Sequence, residues 1–264
     1  MLKIGESLNS SIPKTLALLE PFDEDGVRAL IRAQKAAGAA VLDVNTALCS
    51  DEIGVMRRVV NLIEEEGDLV PMFDSPDPAV LSAMLEETDG AAFVNSVTLT
   101  ERREVIALCA EQIRAGRDLH VVALPVGDTL PTSAEERREF VKTLINSLVA
   151  SGIPEERLWL DLLIEAVATD TAAASRVFDT LSFTKEAYPN VKTLCGLSNV
   201  SFGLPMRAKL NGVFAAMLAA RGLDGAIIGV TSPEMRRTLA CCELLSGEDD
   251  YCMNYLSLYR ELEG

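Results

Sequence analysis

Residues 119–161 read LHVVALPVGDTLPTSAEERREFVKTLINSLVASGIPEERLWLD, and this stretch holds one full structural period. LHVVAL (119–124) is a short apolar, partly β-branched run of strand length. SAEERREFVKTLINSLVASG (133–152) has helical spacing instead. Ser133 stands at its N-cap, Glu136 three residues on completes a capping box, and Gly152 is placed as a C-terminal stop. RLWLD (157–161) returns to strand. Strand, helix and strand in this order make the βαβ unit of a parallel sheet.

The same period recurs on both sides. LKIG (2–5), AAVLDVN (39–45), DLVPMFD (68–74) and AAFVN (91–95) are strand candidates upstream. VKTLCGL (191–197) and GAIIGV (225–230) are strand candidates downstream. GVRALIRAQKAAG (26–38) is a helix with Val27, Leu30 and Ile31 on its apolar face and Gln34–Lys35 on the polar one. Eight alternations in 264 residues predict an α/β fold, a (β/α)8 TIM barrel, with residues 1–264 as one domain. A doubly wound open sheet is the alternative, because periodicity does not show closure. Against it, no GxGxxG follows the first strand. No repeat longer than the βα unit and no low-complexity linker divides the chain.

Composition narrows the function. The formal net charge of −16 opposes nucleic acid and anionic membrane surfaces as ligands. No apolar run reaches the ~20 residues of a membrane span. MLKIGESLN meets Glu6 too early for a signal peptide, so a cytoplasmic protein is expected. The six cysteines form no CxxC pair and the single histidine, His120, starts strand five at the end away from the active face. A zinc site and a Ser–His pair are therefore not expected, and the thiols read as reduced core residues.

In a barrel, function gathers where strands end. Here those places hold Glu6 and Asn9, Asp43 and Asn45, Asp74–Ser75, Asn95–Ser96, Asp161, and Ser198–Asn199. Any one of them reads as a turn or a cap. Their repetition on one rim, as carboxylates and amides without a lysine, points to a ligand and away from Schiff-base chemistry. Such acceptors suit a flat heterocycle rich in N–H donors, since an amino–imino edge can make paired, charge-assisted hydrogen bonds to one carboxylate.

IGESLN (4–9), LDVN (42–45), FDS (73–75), VNS (94–96) and GLSNVS (196–201) resemble the pterin-binding methyltransferases over essentially the whole chain. These include the methyltetrahydrofolate:corrinoid/iron–sulfur protein methyltransferase and its relatives in O-demethylase and betaine systems. NGVFAAMLAARGLDGAI (211–227) resembles the segment before their last strand. The resemblance implies a methyl transfer between position 5 of tetrahydrofolate and the cobalt of a corrinoid, in either direction. It places Asp161 and Asn95 on the amino edge of the pterin, Asp74 on another ring N–H, and Asp43 behind them. Glu6, Ser96 and Ser198 complete the pterin-facing set. Asn199 meets ring position 5, where a neutral amide can donate to an amine or accept from its protonated form. Arg207 is a candidate for the folate glutamate tail or for a partner.

The cobalamin motif DxHxxG is absent, so the corrinoid is expected on a separate protein docked over the barrel mouth, with no metal bound by this chain. A homodimer is also implied. Some positions depart from the family pattern. Leu162 and Glu165 follow Asp161 where DPL is usual, LPVGDTLP (124–131) replaces the usual strand-five loop, and LDVNTAL lacks a glycine. A non-catalytic folate-binding or docking module is the rival from another class. Dihydropteroate synthase would need a lysine near the pterin and an Arg–x–His on the last strand, where IIGVTSPEM (227–235) stands. Methionine synthase contains a similar folate module but has further domains. Tyr251, Tyr255, Leu258 and Leu262 have helical spacing and are expected to pack on the barrel wall.

Overall fold

The computed structural model describes residues 1–98, 103–127 and 130–263. Asp128 and Thr129 of the strand-five loop lie outside the described residues. The chain runs β1 (Leu2–Asn9), α1 (Pro13–Leu19), α2 (Glu24–Ala36), β2 (Val41–Asn45), α3 (Glu52–Glu66), β3 (Val70–Asp74) and α4 (Pro78–Glu87). Then come β4 (Ala92–Val97), α5 (Arg103–Arg114), β5 (Leu119–Ala123), α6 (Ala134–Ala150) and β6 (Leu158–Asp161). α7 (Ala173–Ala187), β7 (Lys192–Leu194), α8 (Arg207–Ala219), β8 (Gly225–Ile228), α9 (Pro233–Leu245) and α10 (Met253–Glu263) complete it. All eight strands pair in parallel, in the order β7-β6-β5-β4-β3-β2-β1-β8. Closure comes from a bridge between Gly196 and Ile227, where the Ile227 N–H donates to the Cys195 carbonyl at 2.9 Å. The chain is a (β/α)8 barrel, and the open-sheet alternative is set aside by that closing contact.

Local chemistry accounts for the elements. The capping box on α6 forms as expected: Ser133 accepts from the Glu136 N–H, and the Glu136 carboxylate accepts from the Ser133 N–H. Gly152 ends the helix with φ of +98°, a conformation open to glycine. The strands' outward side chains pack against the helices in one continuous apolar layer that includes Leu42, Val60, Phe73, Leu81, Val94 and Leu144. Among the described residues no helix is long and apolar enough to cross a membrane.

Four expectations need correction. β1 continues to Asn9, past the LKIG run, because a bulge at Glu6–Ser7 is held by α1 and α2. The Ser7 N–H donates to Gln34 Oε1 at 3.0 Å, and the Thr15 hydroxyl donates to the Ser7 carbonyl at 2.9 Å. Gln34 therefore does not lie on the polar face of its helix; it is buried beneath the bulge. β7 is also shorter than VKTLCGL, since the chain turns into a 3-10 segment at Leu197–Ser201. In the C-terminal stretch Tyr255, Leu258 and Leu262 are half-buried beside Arg237 and Cys241 of α9. Tyr251 is 91% exposed with φ of +56°, so it leaves that face.

Candidate functional site at the barrel mouth

Inside the barrel each strand gives one apolar side chain to a floor: Ile4, Val41, Met72, Phe93, Val122, Trp159, Leu194 and Ile227. His120 lies against this floor from the N-terminal side, with Phe93 stacked on it at 4.7 Å and the Trp159 indole N–H donating to its Nδ1 at 3.3 Å. It belongs to the packing, far along the strands from the mouth. Side chains alternate along a strand, so the position two residues further on faces the same interior. Those positions are Glu6, Asp43, Asp74, Asn95, Leu124, Asp161, Gly196 and Gly229. The apolar floor thus carries a polar layer of four carboxylates and one amide, and the two glycines leave room above it.

Hydrogen bonds between strands tie the polar layer together. Asn95 Nδ2 donates to Asp43 Oδ1 at 3.2 Å, and Asn45 Nδ2 donates to Asp74 Oδ2 at 2.9 Å. The Leu163 N–H donates to Asp161 Oδ1 at 2.7 Å. Register places Asn45, Asp74 and Asn95 side by side across β2, β3 and β4. Asp43, one interior position deeper, is buried, whereas Asp74, Asn95 and Asp161 are half-buried at the mouth. Ser96 is buried at the β4 bulge, where register shifts between Asn95 and Val97.

The opposite wall is the turn 197–201. The Ser198 hydroxyl donates to both oxygens of Glu6, at 3.2 and 3.1 Å. Arg207, at the start of α8, donates from Nε to the Ser201 hydroxyl at 3.1 Å and from a terminal nitrogen to the Ser198 carbonyl at 2.9 Å. Arg207 therefore braces this turn. Asn199 is exposed at its apex, and its side-chain amide has no hydrogen-bond partner among the described residues.

Crowding carboxylates in a dry pocket changes their protonation. Burial, then the Asp74 charge, push Asp43 well above the usual carboxylate range, against the opposing hydrogen bond from Asn95. Burial raises Asp161 to about 6, with the Leu163 N–H and Arg137 pulling the other way. Burial also raises Glu6, opposed by Ser198 and Arg207. Burial thus makes Asp43, Asp161 and Glu6 weaker acids than free carboxyls, and further N–H donors from a ligand would favour their ionised forms. No group of three or more His, Cys, Asp or Glu able to hold a metal ion occurs among the described residues.

The sequence pattern of the pterin-binding enzymes matches residues 8–229. The chain belongs to that family. Membership agrees with the mouth described above, because the matched span carries Asp43, Asp74, Asn95, Asp161 and Asn199. The chain is similar to the methylcorrinoid:tetrahydrofolate methyltransferase of Eubacterium limosum, 27% identical over 263 residues that cover 99% of this chain and 97% of the relative. It is also 30% identical over 230 residues to the methionine synthase of Mycobacterium tuberculosis, covering 77% of this chain and 18% of that longer enzyme. In structure it is similar to the dihydropteroate synthase of Xanthomonas albilineans solved with 7,8-dihydropteroate, with TM-score 0.69 and 18% identity. That match covers 94% of each chain and bears on the fold alone.

Two participants escaped the sequence reading as members of the site. Asn45 was visible as a strand-end residue, yet its bond to Asp74 needs the β2–β3 register. Arg137 gave no signal, because on α6 it reads as one of several solvated charges, and it is fully buried.

Proposed function

We propose that this pterin-binding enzyme transfers a methyl group between position 5 of tetrahydrofolate and the cobalt of a corrinoid carried by a separate protein, in either direction. The observation that carries this reading is the division of the mouth: acceptors on one wall, and the unpaired Asn199 amide on the other. Asp161 and Asn95 take the amino edge of the pterin, Asp74 takes another ring N–H, and Asp43 holds Asn95. Glu6 and Ser198 fix the turn that presents Asn199, with Ser96 behind the acceptor wall.

In the forward direction the methyl leaves position 5 as its bond to nitrogen breaks. The electron pair stays on the nitrogen, which leaves more readily when protonated or strongly hydrogen-bonded. Asn199 steadies that proton or hydrogen bond, and the barrel mouth orients the methyl toward the corrinoid. The ring of exposed apolar side chains on the rim loops, Ile12, Leu48, Leu130, Phe202 and Met206, offers the corrinoid protein its docking face. Arg207 has a further donor for the anionic folate tail or that partner. A cytoplasmic protein of one domain over 1–264 is part of the same reading. So is a homodimer, supported by Leu210, Val213 and Met217 exposed at helical spacing on α8. Sedimentation at several concentrations should show a dimer; a monomer throughout would remove that element.

The deciding experiment is anaerobic. Free cob(I)alamin and 5-methyltetrahydrofolate are mixed with the protein, and loss of the Co(I) absorbance is followed. Wild type should turn over, and Asn199→Ala should be slower by about 10²–10³. Tight folate binding without transfer, to free or to protein-borne corrinoid, would instead support the non-catalytic module.

A further inference from the structure

Arg137 on α6 is fully buried, and Nε of both Arg137 and Arg176 is buried without a hydrogen-bond partner. The hydrogen bonds of Arg137 all go to the loop that follows Asp161. One terminal nitrogen donates to the Leu162 and Leu163 carbonyls at 3.2 and 3.0 Å, and the other meets Glu165 at 2.7 Å. Arg176 of α7 holds the same Glu165 oxygen at 2.9 Å and Asp170 at 2.6 Å. An aliphatic side chain of this size would often stabilise the fold as well or better, since burying a guanidinium carries a large desolvation cost. The arrangement calls for another explanation.

The Leu162 carbonyl and the Leu163 N–H belong to one peptide group, which is planar. Arg137 donates to the oxygen at one end, while the N–H at the other end donates to Asp161 Oδ1 at 2.7 Å. Fixing the carbonyl direction therefore fixes the amide that aims the carboxylate, and the two bonds polarise each other. Leu163 has φ of +50°, a conformation that a leucine keeps only when its surroundings enforce it. The same loop reaches the opposite wall, because the Val167 N–H donates to the Val200 carbonyl at 3.1 Å, next to Asn199.

We propose that Arg137, clamped by Glu165 and Arg176, is a positioning residue that sets the Asp161 carboxylate and the Asn199 turn relative to each other. This rests on the pterin reading of the mouth for its functional meaning, but its geometry can be tested on the empty protein. Arg137 orients the Leu162–Leu163 peptide, Glu165 and Arg176 keep the guanidinium in place, and Val167 carries the loop's position to the turn.

The test is a carboxyl ¹³C NMR titration of Asp161, assigned with Asp161→Asn, in wild type, Arg137→Met, Arg137→Lys and Glu165→Leu. Thermal unfolding confirms that each variant is folded. Positioning predicts that the Asp161 midpoint rises by half a pH unit or more in all three variants, as the amide swings away. Charge alone predicts no change in Arg137→Lys, which keeps its cation, and a fall in Glu165→Leu, which loses an anion. A midpoint at or below wild type in either folded variant overturns the proposal. If the arginine variants fail to fold, Glu165→Leu decides by sign, because it keeps both arginines in the chain and releases only the carboxylate that clamps Arg137. Tetrahydrofolate binding is measured separately, and about tenfold weakening is expected in the shifted variants. A wild type that binds no tetrahydropterin would remove the functional reading, while the titration still decides the positioning role.

Discussion

Under the proposed function, Asp161 trades stability for binding. Its carboxyl titrates at about 6 in the folded chain, against about 3.9 when unfolded. The folded state holds this proton more tightly, so its contribution to stability is full below pH 4 and is lost as pH rises through 6. Asp161→Asn should therefore raise the thermal midpoint of the empty protein at pH 7.5 by several degrees, the shift being worth at most about 3 kcal/mol. The same variant should lose about 2–5 kcal/mol of tetrahydrofolate binding, since an amide N–H would face the ligand's donors. In the proposed function the ionised carboxylate is the binding form. Calorimetry should then find affinity falling about tenfold between pH 7 and pH 5. A destabilised Asp161→Asn that binds normally would contradict both parts. Asp161 was legible in the sequence as a strand-end acid; its raised pKa was not, because burial and the neighbouring charges exist only in the closed barrel.

At the scale of elements, the turn 197–201 depends on a close approach at its first residue. A Cβ placed on Gly196 would come within 3.3 Å of Asn199 Nδ2, tighter than ordinary contact. Gly196→Ala should push the amide off position and reduce kcat about tenfold while leaving folate affinity within twofold, because the acceptor wall is on other strands. Stopped-flow transfer at saturating folate with parallel binding measurements checks this; equal losses in both would show that the turn also holds the pterin. The sequence reading recognised GLSNVS as special but ran β7 on to Leu197, into its first two residues. An apolar run ending in Cys195–Gly196–Leu197 looks continuous along the chain, and the break comes from the contact with β8 across the closing seam. The β1 bulge hid for a similar reason. Gln34 reads as a surface residue on α2 until Ser7, 27 residues away, presents its N–H.

On the whole molecule, the rim is where the corrinoid protein of the proposed reaction would approach. Leu48 is 62% exposed on the β2–α3 loop and Leu130 is 51% exposed on the β5–α6 loop, on the face that carries the pterin mouth. The double variant Leu48→Glu, Leu130→Glu should keep transfer to free cob(I)alamin and lose at least tenfold in kcat/KM with a protein-borne corrinoid. A like loss with both acceptors would move the docking face elsewhere. In a chain of net charge −16, exposed leucines beside an acidic mouth are not needed for solubility, which makes them informative.

The amino-acid sequence by itself determined the periodicity, and with it eight strands, their helices, and the identity of nearly every polar residue at the strand ends. That information is local: strand and helix periods, caps and glycine stops are set by neighbours within a few positions. Tertiary structure decided what those residues do to one another. Closure between Gly196 and Ile227 turns a row of strand ends into a ring, so that the charges of Asp74, Glu6 and Asp161 all act on Asp43 and push its carboxyl up. It also buries Arg137 under a peptide 25 residues away in sequence, in Leu162. Electrostatic coupling and peptide orientation depend on separation in space, and only the closed barrel fixes those distances.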